Sequence, residues 1–108
     1  MNNKGLEIAK IIDLLNKQNI YWTKHCLNRL QQRNIKIDDV KNAIKTGKII
    51  EYYYDDYPNP SCLILGYSKE HSFLHVVCGI NNEYLFIITA YYPDSNQWDE
   101  KMEKRRNN

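Results

Sequence analysis

The sequence lacks a long apolar run, a charge of one sign, any paired-cysteine motif and any phosphate-cradling glycine loop. Each absence removes a class of protein. No stretch approaches the ~20 apolar residues that a membrane-spanning helix needs. Met1 to Lys4 lacks the charged, apolar and small-residue segments of a secretory leader, so a cytoplasmic protein without membrane contact is expected. Net charge is +2 with both signs intermingled, which excludes a dedicated nucleic-acid coat but leaves room for a local basic site. Cys26, Cys62 and Cys78 are odd in number and contain no C-x-x-C pair. They read as reduced, mostly buried small hydrophobes rather than a disulfide framework or a zinc site. No cluster of His, Cys, Asp or Glu has metal-ligand spacing, and no nucleophile elbow occurs, so neither metal nor cofactor is expected.

What is present suits a single small domain. With 108 residues, 43% of them hydrophobic, the chain has room for one core and no second domain. That domain is expected to span 1–94, leaving 95–108 as a charged tail that forms a short helix or stays disordered. Nine tyrosines against two phenylalanines suit strands and half-buried surfaces, where the ring packs and the hydroxyl reaches water or a partner.

Ile8, Ile11, Ile12 and Leu15 carry a helical period, predicting a first helix from about Gly5 to Lys17 that ends near Asn19. Thr23 is a candidate N-cap for a second helix to about Arg33, closed by Asn34. A third begins around Asp38 and stops at Gly47. From Lys48 the chain turns β-branched and aromatic, predicting strands at 49–54, 62–67, 73–80 and 84–92 joined by short polar loops. The expected architecture is α+β, with N-terminal helices packed on a four-stranded antiparallel meander. In the last hairpin, a three-residue Asn81-Asn82-Glu83 loop would put Leu74, Val76, Cys78 and Ile80 on one face with Phe86, Ile88 and Ala90. His75, Thr89 and Tyr91 would share the other.

The chemistry-bearing residues fall in two places. His25, Arg29 and Arg33 recur every four residues and line one side of the second helix, at the border of its apolar stripe. Arginines clamp phosphate by bidentate bonds and an imidazole moves a proton near neutral pH, although such a line also suits a plain solvated basic face. His75 stands among apolar strand residues, a setting commoner for packing than for catalysis; the company of Thr89 and Tyr91 raises its interest. Acid–base cleavage of RNA needs one group to take the 2′-hydroxyl proton, another to protonate the leaving oxygen, and cations to hold the phosphorane. His25, Arg29, Arg33, His75 and Tyr91 would suffice as catalytic groups, with Thr89 and Tyr53 contacting substrate. Glu51 could act as a base but reads more simply as an exposed strand residue. Asp55 and Asp56 read as turn chemistry, and His71 is given no role.

The run Thr23-Lys-His25 … Arg29 … Arg33-Asn-Ile35 … Asp39-Val40 … Gly47-Lys-Ile49-Ile50 resembles the bacterial domain-of-unknown-function family numbered 4258. So do Pro60-Ser-Cys-Leu63 … Gly66, Leu74-His75-Val76-Val77 and Thr89-Ala-Tyr91-Tyr-Pro93-Asp94. The resemblance covers about Trp22 to Asp94. That family is similar to RelE-like and BrnT-like toxins, small metal-independent ribonucleases often encoded beside an antitoxin. The resemblance therefore implies an endoribonuclease toxin whose partners are RNA and a cognate antitoxin. It marks His25, Arg29, Arg33, His75, Thr89 and Tyr91 as family-type polar positions without settling their roles. One departure is Lys36, where a capping serine or threonine is usual. Two other readings compete: a non-catalytic RNA- or protein-binding module, and an interaction protein that accepts a partner at its sheet edge or groove.

Overall fold

Local signals place the helices. In the computed structural model, which describes residues 5–107, the Thr23 hydroxyl accepts the Cys26 N–H at 2.9 Å and starts α2 (Lys24–Gln32). Asn34, at φ 57°, closes the turn behind it, since asparagine tolerates left-handed backbone. Met1 to Lys4, read above as lacking a leader, and Asn108 lie outside the described residues. α1 (Ile8–Asn16) turns Ile11, Leu14 and Leu15 inward, and its left-handed closing residue is Gln18 at φ 62° rather than Asn19. α3 (Ile37–Thr46) starts after Lys36, whose side chain has no acceptor to offer. Asp39 Oδ2 takes the Lys36 N–H at 3.0 Å instead, so the reciprocal half of a capping box stands in for the missing serine or threonine.

The α+β class holds, but the sheet has one strand more than expected. β2 (Lys48–Tyr53), β3 (Ser61–Tyr67), β4 (Phe73–Asn81) and β5 (Tyr84–Tyr91) pair antiparallel in sequence. β1 (Ile20–Trp22), lying between the first two helices, pairs in parallel with β5. The result is a five-stranded mixed sheet in the order β1-β5-β4-β3-β2, not a four-stranded meander. Three residues are too few to show a strand period, and a parallel partner far along the chain leaves no local mark.

The helices cover one face of this sheet. Cys62, Ile64, Leu74, Val76, Cys78, Leu85, Ile87 and Ala90 meet the apolar sides of α1, α2 and α3 in one core. The three cysteines are free and buried in it. α3 lies so close over β3 that a Cβ on Gly66 would stand 1.9 Å from the Ala43 carbonyl oxygen, so no side chain fits there.

The opposite, outer face has a different cover. Residues 95–107 form neither a helix nor a free tail, but fold back across the sheet as an irregular flap. Trp98 is 2% exposed and bridges to Arg105. Within the flap the Asp99 carboxylate accepts the N–H of Glu103 at 3.0 Å and of Lys104 at 3.3 Å, bonds that hold it below the usual carboxylate range. Among the described residues no helix is long and apolar enough to cross a membrane.

Candidate functional site

The register of the β4–β5 hairpin decides which side chains face outward. Asn81 pairs with Tyr84, so the turn is Asn82 and Glu83, one residue shorter than expected, with Asn82 at φ 58°. Leu85 and Ile87, rather than Phe86 and Ile88, therefore take the helix face. Between the Cys78–Ile87 and Val77–Thr89 pairs, Ile88 is an extra residue, a bulge. The bulge resets the alternation, setting Thr89 opposite Val77 and Tyr91 opposite His75. His75, Thr89 and Tyr91 share the outer face as expected, because two one-residue departures cancel.

The polar line of α2 reaches that face around a free strand edge. β1 ends at Trp22, so the far half of β5 has no strand on its outer side. Arg33 fills the gap: its Nη1 donates to Thr89 Oγ1 at 3.0 Å and to the Ala90 carbonyl at 2.8 Å. An edge carbonyl otherwise left to water is satisfied, and a helix cation is carried to the outer face. His25 and Arg29 are exposed, the Arg29 Nε standing 3.4 Å from His25 Nε2. His25 also borders a groove with Phe86, Ile88, Asp56, Tyr57 and Pro58.

Beneath the flap lies a second polar group. His75 is fully buried, its ring edge-on to Trp98 at 4.5 Å and to Tyr91 at 5.3 Å. Its Nε2 lies 2.7 Å from the Met102 carbonyl, which can only accept, so this nitrogen carries the proton. Nδ1 is then the acceptor for the Tyr91 hydroxyl at 3.3 Å. Burial lowers the His75 pKa, and the Met102 carbonyl and the Glu51 charge offset this only in part. Beside it, Glu51 accepts from Arg105 Nε at 2.9 Å and Nη2 at 3.1 Å, and from the Tyr53 hydroxyl at 2.6 Å. Burial alone would raise the Glu51 pKa; the bonds from Arg105 and Tyr53 outweigh it and hold the carboxyl below its ordinary value. Burial and the bond to Glu51 push Tyr53 well up. Arg105 also lies 4.6 Å over the Trp98 ring.

Tyr91 joins the two groups. Burial raises its pKa, and it feels the charges of Arg105, Glu51 and Arg33 together. The expected composite of His25, Arg29 and Arg33 with His75 in one accessible cleft is therefore corrected. Arg33, Thr89 and Tyr91 come together, but His75 sits on the sheet face away from the helices, sealed by the flap. Sequence reasoning set Glu51 aside and gave Arg105 and Trp98 no part. The Glu51–Tyr53 spacing on one strand face was an available signal for the first, whereas nothing local marks the other two.

The arrangement offers cations at both ends of a half-exposed strip, a hydroxyl held protonated between them and an exposed imidazole on the rim. Among the described residues no three His, Cys, Asp or Glu side chains gather as a metal site. No curated protein and no solved structure matches the chain. Residues 22–92 match the family model described as Domain of unknown function (DUF4258), a span that opens at the end of β1 and closes just past β5, taking in the helix line, Glu51 and Tyr91 but not the flap. With well over half its length inside that match, the chain belongs to the DUF4258 family.

Proposed function

We propose that this protein is the toxin of a type II toxin–antitoxin pair, a metal-independent endoribonuclease acting on mRNA. The observation that carries the reading is Arg33 crossing the β5 edge to Thr89 and Ala90, which sets a helix cation beside Tyr91. Both bonds use Nη1, so Nη2 and Nε serve a phosphate, with the exposed Arg29 supplying a second cation. His25 takes the 2′-hydroxyl proton as that oxygen attacks phosphorus. Tyr91, kept protonated by burial, turns its hydroxyl proton from His75 Nδ1 toward the O5′ of the departing downstream fragment. The P–O5′ bond breaks, leaving a 2′,3′-cyclic phosphate and a 5′-hydroxyl. His75, out of reach of substrate, positions Tyr91 through its Nδ1.

One observation favours the competing reading of a binding module without chemistry. Glu51 is fully engaged by Arg105 and Tyr53, and His75 is sealed, which leaves few accessible proton carriers on the strip. Purified protein with end-labelled RNA, with and without chelator, separates the two. Cleavage that ignores chelator and yields cyclic ends is expected, and His25→Ala should slow it about a hundred- to ten-thousand-fold with melting unchanged. Binding without cleavage supports the module, while activity abolished by chelator and restored by magnesium sinks the mechanism. A cognate antitoxin is expected to cover the same arginines with an acidic segment, competing with RNA and weakening with salt. If this chain expressed alone never slows growth, the toxin reading fails.

A further inference from the structure

The geometry points to a subsite for one unpaired nucleobase at the β1 corner of the outer face, walled by Tyr21, Tyr84 and Phe86. The inference rests on RNA being the ligand, as proposed above. Tyr21 is the register partner of Phe86 across the β1–β5 pair, and Tyr84 lies two residues before Phe86 on the same face. Three aromatic rings thus gather at one corner of the sheet. Thr23 and, from the β2–β3 loop, Pro58 and Asn59 complete the walls, with Asn81 and Asn82 at the hairpin end, around an open cavity of about 480 Å³. That volume lies in the range of small-molecule sites. The loop is seated rather than loose: the Ser61 hydroxyl donates to the Asp56 carboxylate. Gly79 lets it lie close, since a Cβ there would stand 2.7 Å from the Pro60 carbonyl oxygen and 2.9 Å from the Phe86 ring.

The lining chemistry selects a base. Tyr21 is 62% exposed and Tyr84 56%, large rings presented to solvent instead of to the core. Such rings stack on any base. The amides of Asn59, Asn81 and Asn82 each offer a donor and an acceptor without charge, which is the match for a neutral base edge. Among the described residues no charged side chain lines this end. The adjoining groove shares Thr23, Pro58, Asn59 and Phe86 with it and runs past Ile88 and the Asp56 carboxylate, which the Ser61 hydroxyl engages, to His25, beside which Arg29 stands. A neutral aromatic and amide pocket leading to cations repeats the layout of a nucleotide, with its flat base at one end and its anionic phosphate at the other. A peptide strand added to the free edge of β1 would use backbone bonds and would have no need of an amide-walled pocket.

Binding of a fluorescein-labelled 2′-O-methyl RNA octamer, which lacks the attacking hydroxyl, tests this against a fully abasic octamer of equal charge. The intact octamer is expected to bind about tenfold or more tighter, the scale of base–aromatic stacking. Joint replacement Tyr21→Ala and Tyr84→Ala should remove most of that difference, whereas Tyr21→Phe with Tyr84→Phe should keep it. Both positions are exposed, so melting should not change. Equal binding of the two octamers, or a preference untouched by the alanine pair, overturns the subsite and leaves the RNA reading standing. Binding of neither octamer overturns both. Solvent protection of Tyr21 and Tyr84 by the neighbouring gene's product, and not by the octamer, assigns the groove to a protein partner and also overturns the proposal.

Discussion

Alternate residues of the same strand meet two different covers. Along β4, Leu74, Val76 and Cys78 are fully buried in one core with the apolar sides of the helices. His75 and Val77, between them, face a flap with little regular structure, pinned by one indole, one carbonyl and two ion pairs, Arg105–Glu51 and Lys48–Glu103. Under the helix cover Leu74, Val76, Cys78, Leu85, Ile87 and Ala90 are all fully buried. The flap cover is partial, and its margin leaves Val77, Ile88, Thr89 and Tyr91 half-buried beside Arg33. The two histidines measure the difference. His25, on the helix rim, is exposed; His75, under the flap, is closed off and held neutral by burial. The chemistry proposed above is assigned to the margin between the covers, where cations and hydroxyls are fixed but still reachable.

The sharpest way to break this comparison is to remove the indole. Trp98→Ala should cost about 3–5 kcal/mol, as much as Ile64→Ala under the helices at about 2–5 kcal/mol. Urea melts of the two variants check it. A loss below about 1 kcal/mol for Trp98→Ala would reduce the flap to decoration and leave the outer face without a structural cover.

Acidification should separate the covers next. His75 has a folded pKa below its 6.5 reference, so the unfolded chain takes up the proton first as pH falls. Its stability contribution is complete above about 6.5 and is lost downward until the folded value is passed. Glu51, also depressed, has a contribution present above its 4.5 reference and lost as pH falls through its folded pKa. Both slopes run the same way, with His75 acting first. Thermal melts between about pH 7 and pH 5 should show a falling Tm, and His75→Gln should flatten it over that window. An unflattened slope assigns the titration to another group.

The smallest effect is expected at the Arg105–Glu51 ion pair. Arg105 is 57% exposed, so Arg105→Ala should lower stability by less than about 1 kcal/mol. The Glu51 carboxyl should return upward toward its ordinary range, which an NMR titration reads directly. A cost of several kcal/mol would make this pair, and not Trp98, the anchor of the flap.

Several features were decided by local chemistry and were legible in the residues alone. Thr23 and Asn34 bracket α2 because a hydroxyl can cap an N–H and an asparagine can adopt left-handed backbone, whatever surrounds them. The period of His25, Arg29 and Arg33 puts them on one side of a helix in any fold. The β-branched and aromatic runs after Lys48 became strands for the same kind of reason. Tertiary structure decided the rest. β1 exists because the first half of β5 offers it an edge, and a three-residue strand has no stability of its own. The two-residue Asn82-Glu83 turn put Phe86 and Ile88 off the helix face and the Ile88 bulge returned Thr89 and Tyr91 to the outer face, so simple alternation could not assign them all. Arg33 reaches Thr89 only because β1 stops short, and His75 is closed only because Trp98 and Met102 return from far along the chain. Contacts between residues distant in sequence depend on how the whole core closes, and no window of neighbouring residues contains that information.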